Sequence, residues 1–227
     1  MQIPEKAKPL YKKICKRYKT RFEKLQIGNQ PLHLLQIQDI EPLLAGKDPF
    51  KDVSGFPFWV KLWEASMVLC ALVGNLRPRK GETLLELGAG LGAPGLTAAR
   101  CGYQVTLSDY EQIIIDFQKI NAAVNGLDER VECLFLDWKK PTDLGPFDTI
   151  IGAEILFRDE FFEPLLSLFD KLLAPEGTIY LAHDIRRKSL PAFLRLAEKN
   201  FEIAVSTRKM KAEDETLTVI VNRLRRR

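Results

Sequence analysis

The chain has 227 residues, 46% of them apolar, which is enough for one sizeable buried core and typical of a soluble globular protein. No apolar stretch approaches the ~20 residues of a membrane span, and the opening MQIPEKAKPLYKK lacks the apolar run of a secretory signal. Cys15, Cys70, Cys101 and Cys133 are scattered with no C-x-x-C pair, and His33 and His183 are the only histidines, so zinc and a disulfide framework are poor readings and a cytoplasmic location is expected.

Charge is uneven along the chain. Residues 1–30 hold nine Lys/Arg against two Glu, a balance of +7, while the whole chain is +4. In this basic arm Tyr11, Ile14, Cys15, Tyr18, Phe22 and Leu25 fall near helical spacing, which predicts an amphipathic helix. Such a helix either packs its apolar stripe on the domain or meets nucleic acid, an acidic protein or anionic lipid. LHLLQIQDI (32–40) reads as a short strand, and the Pro- and Gly-rich stretch 41–57 as loop. The division expected is an arm and loop over 1–54 and a domain over 55–227.

Helical periodicity returns in FWVKLWEASMVLCALVGNL (58–76). Strands and helices then alternate. TLLELG (83–88), QVTLSD (104–109), VECLFLD (131–137), PFDTIIGAE (146–154) and GTIYLAHD (177–184) read as strands. APGLTAARCG, YEQIIIDFQKINAAVNG, DEFFEPLLSLFDKLL and SLPAFLRLAEKN read as helices, the last with a serine at its N-cap. FEIAVSTRKM and ETLTVIVNRL, separated by a charged turn, look like a terminal hairpin. The pattern predicts an α/β, doubly wound, Rossmann-like sheet of seven strands, mostly parallel with an antiparallel C-terminal strand, plus the helical arm.

Ligands of such sheets bind at the carboxyl ends of the strands. There stand the turn LLELGAGLGAPG (84–95) and the acids Glu86, Asp109, Asp137 and Glu154. The turn fits G-x-G-x-x-G/A, the dinucleotide fingerprint, and equally E-x-G-x-G-x-G, the form expected for S-adenosylmethionine. Asp109 can accept both ribose hydroxyls of either ligand. Glu86, two residues before the first glycine, would repel a pyrophosphate but favours a sulfonium and an ammonium. At Asp137-Trp138 a carboxylate can accept the adenine amino group and an indole can stack on the purine. Three acids in series read as a nucleoside site that avoids phosphate.

Together, E-L-G-A-G-L-G, Asp109, Asp137-Trp138 and the terminal hairpin resemble a class I, seven-strand methyltransferase over about residues 55–223. WEAS (63–66), Asn121 and Asn125 of KINAAVN, and Glu154-Ile155-Leu156-Phe157 at the place of a [DE]-x-x-[YF] motif resemble the family-16 protein-lysine methyltransferases. The resemblance implies S-adenosylmethionine held by Trp63, Glu86, Gly88, Ala89, Gly90, Gly92, Asp109, Tyr110, Asp137, Trp138 and Ala153. It implies Glu154 and Phe157 as the catalytic pair on the acceptor side, no metal, and a protein substrate presenting a lysine. Where Asp and Tyr are common in that motif this chain has Glu and Phe, and it so lacks the tyrosine hydroxyl. An RNA or small-molecule acceptor, and a non-catalytic cofactor binder, stay open as alternatives. His183 ends the fifth strand of the domain and is read as structural.

Overall fold

The computed structural model describes residues 2–28, 30–44, 56–140, 143–211 and 216–227. Helix α1 (Lys8–Cys15) carries the first part of the expected stripe. It stops at Cys15, and Phe22 and Leu25 lie instead on strand β1 (Thr20–Ile27), paired antiparallel with β2 (Gln30–Ile37). The hairpin prevails over helical spacing because Gly28, at φ +57°, reverses the chain and delivers Leu32, Leu34 and Leu35 to full burial. Each such leucine contributes about 1.5–3 kcal/mol. The arm is therefore helix plus hairpin. A short helix α2 (Glu41–Leu44) opens the stretch expected to be loop, and the rest of that stretch up to residue 55 lies outside the described residues.

A single 3-10 turn (Phe58–Val60) precedes helix α3 (Glu64–Val73), which starts later than its periodicity suggests because Lys61 and Trp63 are extended. The main sheet contains β3 (Thr83–Leu87), β4 (Gln104–Asp109), β5 (Val131–Phe135), β6 (Phe147–Ala153), β7 (Leu173–Asp184), β8 (Phe201–Lys211) and β9 (Thr216–Arg226). Its order is β5-β4-β3-β6-β7-β9-β8, parallel except for β9, which pairs antiparallel with both neighbours. β7 starts four residues before the expected Gly177 and carries a bulge, where pairing passes from Phe147 with Leu173 to Thr149 with Thr178. The charged turn between β8 and β9, residues 212–215, lies outside the described residues.

Helices α4 (Ala93–Cys101), α5 (Gln112–Val124), α6 (Phe162–Leu172) and α7 (Leu190–Ala197) complete the domain. Alternation along the strands divides the core. Leu84, Val105, Leu107 and Ile151 pack with α3 and α4, whereas Leu85, Leu87 and Ile150 pack with α6 and α7. A third cluster joins the arm to the turn after β3: Ile14, Tyr18 and Leu35 pack with Trp59, Leu91 and Phe117. Ser189, expected to cap α7, makes no capping bond and donates its hydroxyl to the Leu156 carbonyl instead.

Asn121 of α5 and Asn125, its C-cap, fasten the hairpin. Asn125 accepts the His33 N–H at 3.0 Å and donates to the His33 carbonyl at 2.8 Å, so its side-chain amide acts as a strand neighbour for β2. Asn121, fully buried, accepts the Leu35 N–H at 2.7 Å and donates to the Leu91 carbonyl at 3.0 Å. One side chain thus ties the arm to the glycine turn. Asn121→Ala strands both backbone groups, at about 1–3 kcal/mol each. The expected outcome is a fall in melting temperature of roughly 5–15 °C for a chain of this size, read by thermal denaturation; a shift under about 2 °C would show that the clamp carries no load.

Candidate active site at the strand carboxyl ends

The turn after β3 is built on left-handed backbone: Gly88, Gly90 and Gly92 have φ of +59°, +52° and +81°. Other side chains at these positions would be strained. At Gly92 a Cβ would also lie 2.7 Å from Leu107 Cδ1, so that buried leucine would have to move. Gly90 is gripped from three directions. Its N–H donates to Asp109 Oδ2 at 2.8 Å, its carbonyl accepts Gln118 Nε2 at 3.0 Å, and Trp59 backbone lies 3.6 Å from where its Cβ would stand. The Ala89 N–H donates to the Ser108 carbonyl at 3.0 Å.

Glu86 sits differently from the expectation that placed it beside ligand charge. It is 2% exposed, faces α4 from β3, and accepts the Gly95 N–H at 2.7 Å in the first turn of that helix. Burial pushes its carboxyl up to about 8, against the opposing pull of the Gly95 amide. Asp109 is pushed up by burial as well, to about 6, with the amides of Gly90 and Tyr110 opposing. Its second oxygen accepts the Tyr110 N–H at 2.9 Å, and Tyr110 itself is 63% exposed at the rim.

Asp137 turns back to accept the Lys139 N–H at 2.9 Å. The Trp138 ring lies against the glycine turn: a Cβ at Gly88 would meet its Cζ2 at 3.5 Å and Ile155 Cγ2 at 3.1 Å. Trp138 meets Phe161 edge-on at 5.4 Å, and Phe161 meets Phe157 at 5.6 Å. Trp63 donates its indole N–H to the Phe58 carbonyl at 2.9 Å and carries Lys61 over its ring. The contact of this segment with Gly90 is made by Trp59, which the sequence reading passed over.

Beyond Ala153, at the end of β6, Glu154 has φ +56°, the only left-handed non-glycine among the described residues. Its carboxylate was expected to stand open to an ammonium. Instead Oε1 accepts the Asp184 N–H at 2.6 Å and Oε2 is paired with the Arg187 guanidinium. Phe157 is 46% exposed beside it. His183 is fully buried, neither ring nitrogen has a partner, and burial drives it down to about 3, so it is neutral at ordinary pH. Arg187 and Gln118 are site-edge residues that the sequence reading missed. For Gln118 a signal existed, its i, i+3 spacing with Asn121 on α5.

Both raised acids give a pH dependence with a definite sign. Their folded pKa values lie above the ordinary 4.5 and 3.8, so the folded state holds extra protons and loses stability as pH rises, over about 4 to 6 for Asp109 and 4.5 to 8 for Glu86. Denaturant unfolding at pH 5 and pH 9 is expected to show native protein weaker at pH 9 by on the order of a few kcal/mol. Glu86→Gln, which keeps an acceptor for Gly95, is expected to lose most of that difference; an equal difference in both proteins removes Glu86 as its source.

Comparison with known proteins follows this geometry. A family model described as lysine methyltransferase matches residues 55–200. Protein N-lysine methyltransferase METTL21A of Xenopus tropicalis is 31% identical over 148 residues, covering 63% of this chain and 68% of that protein. EEF1A lysine methyltransferase 3 of Mus musculus is 30% identical over 172 residues, covering 74% and 72%. A solved SAM-dependent methyltransferase from Agrobacterium tumefaciens matches in fold with a TM-score of 0.64 at 16% identity, over 90% of this chain and 70% of that one. The chain belongs to the lysine methyltransferase family and is an S-adenosylmethionine-dependent methyltransferase.

Proposed function

We propose that the protein moves a methyl group from S-adenosylmethionine to the side-chain amine of a lysine in another protein. The observation that carries this reading is adjacency: the Glu154–Phe157 segment stands against the first glycine of the cofactor turn, with Ile155 Cγ2 3.1 Å from where a Cβ on Gly88 would stand. An acceptor held at Glu154 is therefore next to the cofactor.

The residues present fit the cofactor. The turn offers backbone for close approach, and the Asp109 carboxylate beside it opposes a phosphate but not a sulfonium. Two buried polar atoms near Gly90 lack partners, Trp59 Nε1 and Gln118 Oε1. In this reading Asp109 receives the ribose hydroxyls, and Asp137, Tyr110 and Trp138 border the adenine. Gly88, Ala89, Gly90, Gly92 and Ala153 line the methionine end, and Trp63 covers it. Glu86 acts indirectly, by fixing the first turn of α4 beneath the glycines. When bound, the cofactor supplies a methyl carbon on a sulfonium.

The protein's own work is positioning. An ammonium has no lone pair, so the lysine must first release a proton to water. A neutral nitrogen would then take the methyl group that bound S-adenosylmethionine supplies, the sulfur keeping the bonding pair. Glu154 accepts a hydrogen bond from the amine and aims its lone pair. Phe157, with Phe161 behind it, forms an aromatic wall that tolerates the cationic product. A cytoplasmic setting suits the four free thiols. Among the described residues no helix is long and apolar enough to cross a membrane.

Tritiated S-adenosylmethionine incubated with the protein and a cell lysate provides the check. Label is expected in material that protease destroys and ribonuclease spares, and acid hydrolysis is expected to return it as methylated lysine. Glu154→Gln is expected to bind S-adenosylhomocysteine as the native protein does and to lose about 10²-fold in rate. Protease-resistant label, methylarginine or methylhistidine in place of methyllysine, or full activity in Glu154→Gln would sink the proposal.

A further inference from the structure

We infer that Arg187 is a positioning residue for the transfer: it pins the Glu154 carboxylate with one acceptor direction left and, by its charge, weakens the incoming amine's hold on its proton. This inference rests on the lysine reading above.

The pinning is visible in the bonds. Glu154 stands in left-handed backbone that a glutamate rarely adopts, and its N–H donates to the Ala182 carbonyl at 2.9 Å. A carboxylate has about four lone-pair directions. Arg187 Nε, at 3.0 Å, and a second guanidinium N–H occupy both on Oε2, and the Asp184 N–H takes one on Oε1. The remaining direction is on Oε1. Three donors from β7 and the segment after it thus define where a fourth can approach, and residues 155–157 continue from there to the cofactor turn.

Charge supplies the second half. A bare carboxylate would hold a lysine as its ammonium, the unreactive form. Here the carboxylate charge is already balanced by a guanidinium, and an amine donating to Oε1 shares the carboxylate with that cation. Like charges disfavour the protonated amine. The neighbouring groups do not reverse this. Asp184 is bound to Arg186. His183 is buried and neutral. Arg158 lies over the Phe157 ring and pairs with Glu160, and Lys188 is exposed. Asp184 is matched by Arg186 and Arg158 by Glu160, and Asp159 and Lys188 are both exposed, which leaves Arg187 as the cation bonded to the Glu154 carboxylate.

The experiment is a pH profile of lysate-protein labelling at saturating tritiated S-adenosylmethionine, from pH 6.5 to 10, for native protein, Arg187→Gln and Arg187→Lys. The native rate is expected to rise with pH to a plateau. In Arg187→Gln the midpoint is expected to move up by about one unit, so that the deficit is large at pH 7 and narrows by pH 9.5. Arg187→Lys keeps the charge without the fork, so its midpoint should stay native while its plateau falls. An unmoved midpoint in Arg187→Gln overturns the inference, as does an equal shift in both variants. Binding of S-adenosylhomocysteine reports folding; should Arg187→Gln fail to bind it, Arg187→Lys decides alone, and a moved midpoint there overturns the inference. Native protein that labels no protein at any pH overturns the lysine reading and this inference together, whereas native labelling with an unmoved Arg187→Gln midpoint overturns this one only.

Discussion

Five residues of chain, 88–92, are held in a conformation they would not keep alone. Their backbone turns through three left-handed glycines, and each part is fixed by a different element. Asp109 at the end of β4 holds the Gly90 amide, Gln118 on α5 holds its carbonyl, and Asn121 holds the carbonyl of Leu91. Trp59 packs from above and Trp138 with Ile155 from the side. A cofactor that approaches backbone closely needs that backbone ordered in advance, because ordering it at the moment of binding would subtract from affinity. The fold meets this need by spending buried polar groups on the turn.

That view changes what the acids are for. Glu86 and Asp109 each bond to backbone amides of the turn or of the helix that follows it. Both are buried enough that their charge is disfavoured. A pyrophosphate would add net negative charge beside them, whereas in S-adenosylmethionine the carboxylate is outweighed by an ammonium and a sulfonium. The same residues therefore serve the shape of the turn first and, in the proposed reading, ligand selection second. Glu86 in particular occupies a strand position whose neighbour on the same face, Leu84, is an ordinary core residue. The acid serves there as the acceptor for the Gly95 N–H where the helix begins, at a position packed so closely that a Cβ would stand 2.3 Å from Leu107 Cδ2.

The sheet was legible because its signals are local. Apolar runs bounded by glycines, and helices started by Pro94 or stopped by Gly126, need no knowledge of the rest of the chain. The strand-end acids followed from the rule that places ligands at carboxyl ends. The arm was not legible beyond α1, since Phe22 and Leu25 satisfy helical spacing and only their pairing with β2 decides otherwise. The reach of Asn121 and Asn125 to the hairpin was hidden for the same reason: both partners lie 86 and 92 residues away. Ser189 illustrates the limit on capping rules, since its hydroxyl was claimed by Leu156, 33 residues distant. At Glu154 the sequence showed a carboxylate but not its counter-ion, because Arg187 belongs to a different loop.

The Glu154–Arg187 pair is only partly withdrawn from water, with side-chain exposures of 15% and 31%. At that depth an ion pair adds little to stability in general. Its value lies in geometry, since it joins the end of β6 to the segment after β7 and holds a strained residue in place. Strain at one strand end, bonded on every side, is a common way to set a reactive group. Ser189 fastens the same two loops a few residues further on, through Leu156. The acceptor side is thus braced twice between the β6 and β7 ends, while the cofactor side is braced by β4 and α5. The two sets of braces meet where Ile155 packs against Gly88, the place where the proposed reading brings a nitrogen and a methyl carbon into line.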